Sequence, residues 1–194
     1  MLGTAREAQW GTNMKIAVIV GSLRKGSYNR MIARALCALA PSGTQCDMVE
    51  IGNLPLYNAD LDEGAVPAAW EEFRKRIRAA DAVLFVTPEY NRSVPGGLKN
   101  AIDVGSRPYG KSVWSKKPAA VVSVSPGAIG AFGANQHLRQ SFVFLDMPAM
   151  QQPEAYIGGV AGLVDDKGEV TKEDTREFLR KFMEAFARWI KATQ

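Results

Sequence analysis

The 194-residue chain is poor in the residues that form metal sites and disulfides. It has two cysteines, Cys37 and Cys46, which form no C-x-x-C pair, and a single histidine, His137. A structural zinc site takes about four ligands, mostly from these residue types, so the composition excludes one. The two cysteines are either paired or free, and free thiols in a reducing cytoplasm are the simpler interpretation.

The chain also lacks long apolar runs and blocks of one charge. No run approaches the roughly 20 residues of a membrane span, and residues 1–13 have no apolar core of the signal-peptide kind. We therefore expect a cytoplasmic protein with no membrane partner, in which a flexible tail at 1–13 precedes a single domain at 14–194. The net charge is only +4. The most basic segment, 74–78, has the spacing of a solvated helix face, so we expect no nucleic-acid partner.

Short apolar runs and helix-like segments alternate along the chain. The apolar runs lie at 15–20, 46–50, 82–87 and 119–124, with a weaker one at 147–151. Segments with helical spacing lie at 29–40, 67–80, 95–105, 134–145 and 171–192. Strands that are apolar throughout are buried on both faces, which favours a parallel sheet. The pattern predicts an α/β fold: a flavodoxin-like, doubly wound five-stranded parallel sheet of order 2-1-3-4-5, with helices on both faces.

Three helix starts carry local signals. Pro67 and Pro95 stand where a first helical turn is expected, a position at which proline is favoured. The last helix follows Thr171 in the run T-K-E-D, which resembles a capping box.

The segment between the first strand and the first helix, GSLRKGSYNR at 21–30, has the composition of an anion site. Its glycines allow close backbone approach, and the helix start offers free N–H groups. Ser22, Ser27 and Asn29 add neutral donors, and Arg24 adds a charged planar one. The segment matches neither G-x-x-x-x-G-K-S/T nor G-x-G-x-x-G, which argues against a nucleoside triphosphatase and a dinucleotide fingerprint. The alternative is that Ser27 or Asn29 only caps the helix and Arg24 is solvated.

A second loop, TPEYNRSVPGG at 87–97, follows the third strand, which lies beside the first in the predicted order. Pro88 stiffens the strand exit, Tyr90 offers an aromatic face, and Glu89 and Asn91 offer polar contacts. Each of these residues is also compatible with an ordinary loop. A phosphate site beside a stacking platform predicts a mononucleotide site, and the two loops together support it better than either alone.

The two loops resemble those of the NADPH-dependent FMN reductase family. The resemblance rests on S-x-R-x-x-S-x-N after the first strand and T-P-E-Y-N after the third. Two further segments resemble sequences of the family's chromate and quinone reductase branch: LPLYNADL at 54–61 and HLRQSFVFLD at 137–146. The resemblance covers about residues 14–165 and implies a flavodoxin-like fold, bound FMN, and NADPH or NADH as co-substrate.

The resemblance also implies roles for individual residues. The FMN phosphate would be held by the first loop, and the ring and ribityl chain by the second, with the loop after the fourth strand completing the pocket. The expected cofactor-binding residues are Ser22, Arg24, Ser27, Tyr28, Asn29, Pro88, Glu89, Tyr90, Asn91, Ser125 and Gly127.

Fewer features bear on catalysis. We expect the backbone N–H groups of 88–94 to face the reduced flavin, and we assign no catalytic acid or base. Arg92 either adds positive charge at the pocket mouth or faces solvent. His137 is expected to serve in packing or at an interface. The run G-A-I-G-A-F-G at 127–133 has the wrong spacing for a dinucleotide fingerprint and is interpreted as a rim of the flavin site.

The expected function is two-electron reduction of quinones by NAD(P)H, through ping-pong hydride transfer by FMN, with chromate, azo compounds and free flavin as further acceptors. One alternative is a flavodoxin-type electron carrier without its own nicotinamide reaction, although such a carrier is expected to be acidic. Another is a non-catalytic binding module on the same scaffold. Apolar residues at 95–105 and 142–145, together with the family's usual assemblies, predict a homodimer or homotetramer.

Overall fold

All five strands of the sheet run parallel. The computed structural model describes residues 13–194. The strands are β1 (Met14–Val20), β2 (Thr44–Val49), β3 (Ala82–Thr87), β4 (Ala119–Val124) and β5 (Ala155–Ile157). The helices are α1 (Tyr28–Ala38), α2 (Ala59–Glu63), α3 (Ala68–Arg78), α4 (Gly96–Gly105), α5 (Phe132–Phe144) and α6 (Glu173–Thr193). The order β2-β1-β3-β4-β5 confirms the predicted flavodoxin-like topology. The predicted flexible tail lies outside the described residues apart from residue 13.

Four predicted strands and all five predicted helices are confirmed to within two residues at each end. The fifth strand, predicted at 147–151, is wrong, because β5 comes later in the chain. Within 147–151, Ala149 makes only an isolated bridge to Ala119 at the start of β4. The neighbouring Pro148 has no N–H to donate to a ladder, which accounts for the single bridge.

Helices α3 and α4 begin one residue later than predicted, because Pro67 and Pro95 stand just before the first turn rather than in it. The capping box predicted for α6 does not form. Lys172 precedes this helix without a side-chain cap, and the Thr171 hydroxyl donates to the carbonyl of Leu163 instead.

The short helix α2 lies in a connection that was predicted to have no helix. The side chain of Asn58 caps it by accepting from the N–H of Asp60 at 3.1 Å. Asp62 of α2 forms an ion pair with Arg74 of α3 at 2.8 Å, and both side chains are only 5% exposed. Arg74 also donates to the carbonyl of Val104. The prediction that Arg74 belongs to a solvated face is therefore wrong, because α2 folds over it.

The sheet separates two apolar layers, as expected of a doubly wound fold. One layer contains α1 and α6 and is built around buried residues such as Ile32 and Phe182. The other contains α3, α4 and α5 and includes Trp70 and Phe142. The apolar face of α4, which was predicted to be spare surface for a partner, is buried in this second layer: Leu98, Ala101, Ile102 and Val104.

Both cysteines are free and partly buried. Cys37 lies near the end of α1 and Cys46 lies in β2. The neighbouring thiol is the main reason why the pKa of Cys37 is raised and that of Cys46 is lowered. The structure therefore has two free thiols rather than a disulfide.

The two ends of α4 provide a matched test of packing. A methyl group at Gly105 would lie 2.5 Å from the buried ring of Trp114, whereas one at Gly96 would meet no atom within 4 Å. We expect Gly105→Ala to lower the free energy of unfolding by about 1–3 kcal/mol through overpacking. Gly96→Ala should raise it by up to about 1 kcal/mol, because alanine favours the helix. Urea unfolding measures both, and equal stabilities of the two variants would contradict the packing described here.

Candidate functional site

The loops after β1 and β3 meet at the carboxyl edge of the sheet. The N–H of Gly21 extends the β1–β3 pairing by donating to the carbonyl of Val86 at 2.8 Å. A cavity of about 140 Å³ opens between these loops and the loop after β4. Nine of the eleven predicted residues border it, and Asn91 and Gly127 do not. Its lining residues are Ser22, Arg24, Ser27, Tyr28, Asn29, Pro88, Glu89, Tyr90, Val124, Ser125 and Pro126.

The start of α1 forms one wall of this cavity. Ser27 is the N-cap, and its hydroxyl accepts from the N–H of Arg30 at 3.3 Å. The backbone N–H groups of Tyr28 and Asn29 belong to the first helical turn, where the helix itself supplies no acceptor. Arg24 stands exposed at the rim. Free N–H groups, a helix dipole and a guanidinium make this wall suited to an anion.

Asn29 carries the clearest sign that the cavity accommodates a polar group. Its side chain is buried, and its Oδ1 atom has no hydrogen-bond partner. A buried amide without a partner costs about 1–3 kcal/mol. A ribityl hydroxyl would satisfy this oxygen, and the reversed amide would instead donate to a phosphate. The donor set of this wall therefore fits the phosphate and ribityl portion of FMN.

The loop after β3 contains a tight turn at residues 90–93. Tyr90 and Ser93 exchange two backbone hydrogen bonds of 3.0 and 2.9 Å. The residues between them, Asn91 and Arg92, both have positive φ angles, of 51° and 63°. Asn91 does not line the cavity, and the Tyr90 ring is half-exposed beside it. It also occupies the N–H groups of Tyr90 and Ser93, which removes two of the backbone donors predicted to face the flavin.

Two charged residues of this loop lie near the cavity. The Glu89 carboxylate is turned toward α5, where it accepts from the N–H of Ala134 at 3.2 Å. A guanidinium nitrogen of Arg92 lies 3.4 Å from the Glu89 carboxylate. The Arg92 side chain is largely exposed and does not line the cavity. Arg92 is thus at the surface with its charge partly offset by Glu89.

The loop after β4 closes the cavity on the third side. The Ser125 hydroxyl accepts from the N–H of Gly127 at 3.0 Å, so Gly127 supports the loop from outside the cavity. A buried network beneath it joins Ser123 to the carbonyl of Gly130 at 2.6 Å and to the amide of Asn135 at 3.2 Å.

Sequence reasoning missed several residues of the site. Val124 and Pro126 also line the cavity, although an apolar strand end and a following proline carry no functional signal. Outside the cavity, a methyl group added at Gly52 or at Gly97 would lie 3.4 Å from the Leu23 side chain. The Leu23 side chain thus lies beside the β2 exit and the start of α4.

The LPLYN segment is held against α4 by one buried side chain. Asn100 accepts from the N–H of Tyr57 at 2.8 Å and donates to the carbonyl of Pro55 at 3.0 Å. The Trp70 indole donates to the same carbonyl of Pro55. The motif thus has a structural role beside the site that its sequence did not reveal.

Residues 13–194 show neither a metal site nor a membrane span. In this part of the chain no group of three or more histidine, cysteine or acidic side chains is placed to hold a metal ion. None of the helices described here has the length and apolar character that crossing a bilayer requires.

The chain is similar to known quinone reductases and to a solved flavoenzyme. A quinone reductase of Pseudomonas putida is 67% identical over 176 residues, which cover 91% of this chain and 94% of the relative. A 2-hydroxy-1,4-benzoquinone reductase of Burkholderia sp is 49% identical over 178 residues, covering 92% and 97% of the two chains. Among solved structures, FerB from Paracoccus denitrificans, a flavoenzyme NAD(P)H:(acceptor) oxidoreductase, has a TM-score of 0.87 and 44% identity, covering 93% of this chain and 98% of its own.

The family pattern itself spans the site. The pattern of the NADPH-dependent FMN reductases matches residues 14–162, which include all three loops around the cavity and all five strands of the sheet. Both the match and the high identity to relatives over nearly the whole chain lead to one conclusion. This chain belongs to the NADPH-dependent FMN reductase family.

Proposed function

We propose that this protein is an NAD(P)H-dependent quinone reductase that carries FMN between the loops after β1, β3 and β4. The observation that carries the proposal is the convergence of nine predicted residues on one cavity at the carboxyl edge of the sheet. Ligands bind at this edge in open α/β sheets. Membership of the family and the high identity to a quinone reductase support the same activity.

The start of α1 would hold the FMN phosphate. Its free N–H groups and the hydroxyls of Ser22 and Ser27 donate to phosphate oxygens, and Arg24 adds a charge at the rim. Asn29 would bond either the phosphate or the adjoining ribityl chain, which removes its unpaired state. A cavity of about 140 Å³ is smaller than the usual range for ligand pockets of about 300–1,000 Å³. The flat ring would therefore lie at its mouth, against the exposed Tyr90.

Bound FMN supplies the redox chemistry, since it accepts a hydride from a reduced nicotinamide and returns it to an acceptor such as a quinone. The chain supplies position and electrostatics. The backbone N–H groups of Asn91 and Arg92 remain candidates to face the ring, because the tight turn does not occupy them. The two substrates would enter in turn beside Tyr90, which predicts ping-pong kinetics. Chromate, azo compounds and free flavin stay predictions from the family resemblance.

We further propose that the protein assembles as a homodimer or homotetramer. Val143 and Phe144, at the end of α5, are 84% and 80% exposed. Phe144 lies with the exposed Tyr109 around a surface cavity of about 360 Å³. Neighbouring exposed apolar side chains of this size are typical of interfaces. The free thiols support the proposed location in the reducing cytoplasm.

The reaction with nicotinamide separates the reductase from an electron carrier. We expect the protein loaded with FMN to lose its yellow colour when mixed with NADH or NADPH under anaerobic conditions, and to regain it when a benzoquinone is added. Absorbance near the flavin maximum follows both steps. A flavin that stays oxidised over minutes with both nicotinamides would contradict the reductase and favour the flavodoxin-type carrier.

Asn29 should separate stability from cofactor affinity. Asn29→Ala removes a buried amide oxygen that has no partner, so the free protein should unfold with a free energy equal to or up to about 1 kcal/mol above the parent's. The same variant should bind FMN about tenfold more weakly, since about 1.4 kcal/mol of binding corresponds to tenfold in Kd. Chemical denaturation and flavin fluorescence titration measure the two effects.

Two neighbouring cations serve as variant and control for this experiment. Arg24→Ala should also weaken FMN binding about tenfold, through loss of a charge-assisted hydrogen bond. Lys25→Ala should not, because Lys25 is exposed but does not line the cavity. Unchanged FMN affinity in both Asn29→Ala and Arg24→Ala would contradict the proposed phosphate site and would mean that the first loop only caps α1.

The end of α5 tests the proposed assembly. Phe144→Glu places a charge on the exposed apolar surface and should shift the protein from dimer or tetramer to monomer in sedimentation velocity. Leu56→Glu is the comparison, because Leu56 is as exposed as Phe144 but lies on the loop after β2. A Phe144→Glu variant that keeps the parent's assembly would rule out this surface as the interface.

A further inference from the structure

Helix α5 begins without a cap of its own. The residue before it, Ala131, has a left-handed conformation with φ of 59° and no side-chain oxygen to accept from the first turn. The first N–H groups of a helix need acceptors from elsewhere. An acceptor for the first N–H groups of α5 must therefore come from another part of the chain.

Glu89 of the loop after β3 supplies the missing acceptor. Its Oε2 atom accepts from the N–H of Ala134, in the first turn of α5, at 3.2 Å, across 45 residues of sequence. The Glu89 side chain is only 13% exposed, and its other oxygen lies 3.4 Å from Arg92. A methyl group at Gly133 would lie 2.9 Å from the same carboxylate oxygen, so the absence of a side chain there allows the contact. A carboxylate at this helix end is also favoured by the helix dipole.

A second contact joins the same loop to the same helix. The hydroxyl of Ser93 lies 2.9 Å from Nδ1 of His137, one helical turn beyond Ala134. Ser93 closes the tight turn that places Tyr90 at the cavity, and neither Ser93 nor His137 lines the cavity. The turn contains two non-glycine residues with positive φ, a conformation that persists when its surroundings hold it.

We infer that α5 positions the cofactor loop through these two contacts, which makes Glu89 and His137 positioning residues rather than groups that bond FMN. Glu89 sits directly before Tyr90, and His137 holds the residue that closes the turn. Together they hold both ends of the turn at 90–93 against one rigid helix. This inference rests on the proposed function, since it concerns the loop expected to carry the flavin ring, and it reassigns Glu89 from the predicted cofactor contacts.

The first test uses the protein without cofactor. In Glu89→Ala the N–H of Ala134 loses its acceptor, so its hydrogen exchange should accelerate about tenfold or more while the amides of β1 and β3 keep their protection. Glu89→Gln retains an acceptor oxygen and should keep most of the protection at Ala134. Unchanged exchange of Ala134 in Glu89→Ala would overturn the inference. Exchange that changes throughout the sheet would also overturn it, because Glu89 would then support the whole fold.

The second test measures the FMN dissociation constant in variants outside the cavity. His137→Ala and Ser93→Ala should each raise Kd about threefold, and the double variant should raise it no further, because both changes remove one contact. Gln140→Ala is the matched control: Gln140 is also exposed on α5, and the loop's side-chain hydrogen bonds to this helix go to Ala134 and His137 instead, so the Kd of this variant should equal the parent's. Parent-like Kd values for His137→Ala and Ser93→Ala would overturn the inference.

The two hypotheses fail in different ways. A parent protein that binds no FMN would contradict the proposed function, while the exchange of Ala134 would still report whether Glu89 caps α5. A parent protein that binds FMN, combined with a Glu89→Ala variant that binds poorly but keeps a protected Ala134, would contradict only the inference. In that case Glu89 would act on the cofactor directly.

Discussion

The pairing of β1 with β3 is the interaction on which the rest of this structure depends. The parallel ladder runs from the pair Ile16 and Ala82 to the pair Val20 and Val86, and the N–H of Gly21 extends it by donating to the carbonyl of Val86. Because the strands are parallel, their exits meet at one edge, and two loops far apart in sequence become walls of one cavity. The apolar layers on both faces fix this register, since a slip by one residue would exchange their side chains.

Helix N-termini are used in two ways around this cavity. At α1, Ser27 caps only part of the first turn, and the remaining N–H groups face a space suited to an anion. At α5, a carboxylate from the neighbouring loop takes the corresponding place. The same partial charge therefore serves ligand binding at one helix and loop positioning at the other. The two helices differ in what their N-termini face: the start of α1 faces a cavity, and the start of α5 faces Glu89.

The site also concentrates features that cost stability in the free protein. Asn29 has a buried oxygen without a partner, and Asn91 and Arg92 have positive φ angles in a two-residue turn. Such features persist at functional sites because the surrounding structure holds them. A buried charge outside the cavity has its partners: Arg74 forms an ion pair with Asp62 and also bonds a carbonyl. The contrast between these two buried polar groups agrees with a cavity adapted to a ligand.

The sequence by itself determined the fold class, four of the five strands, and the loops that form the cavity, because buried strands and helix starts leave local patterns of apolar residues, glycine, serine and asparagine. Only the tertiary structure decided where β5 lies, since three residues give too short a pattern to recognise. It also turned Glu89 toward α5 and covered Arg74 with α2. Each of these outcomes depends on partners distant in sequence, and a side chain's neighbours across a fold are not encoded in its own segment.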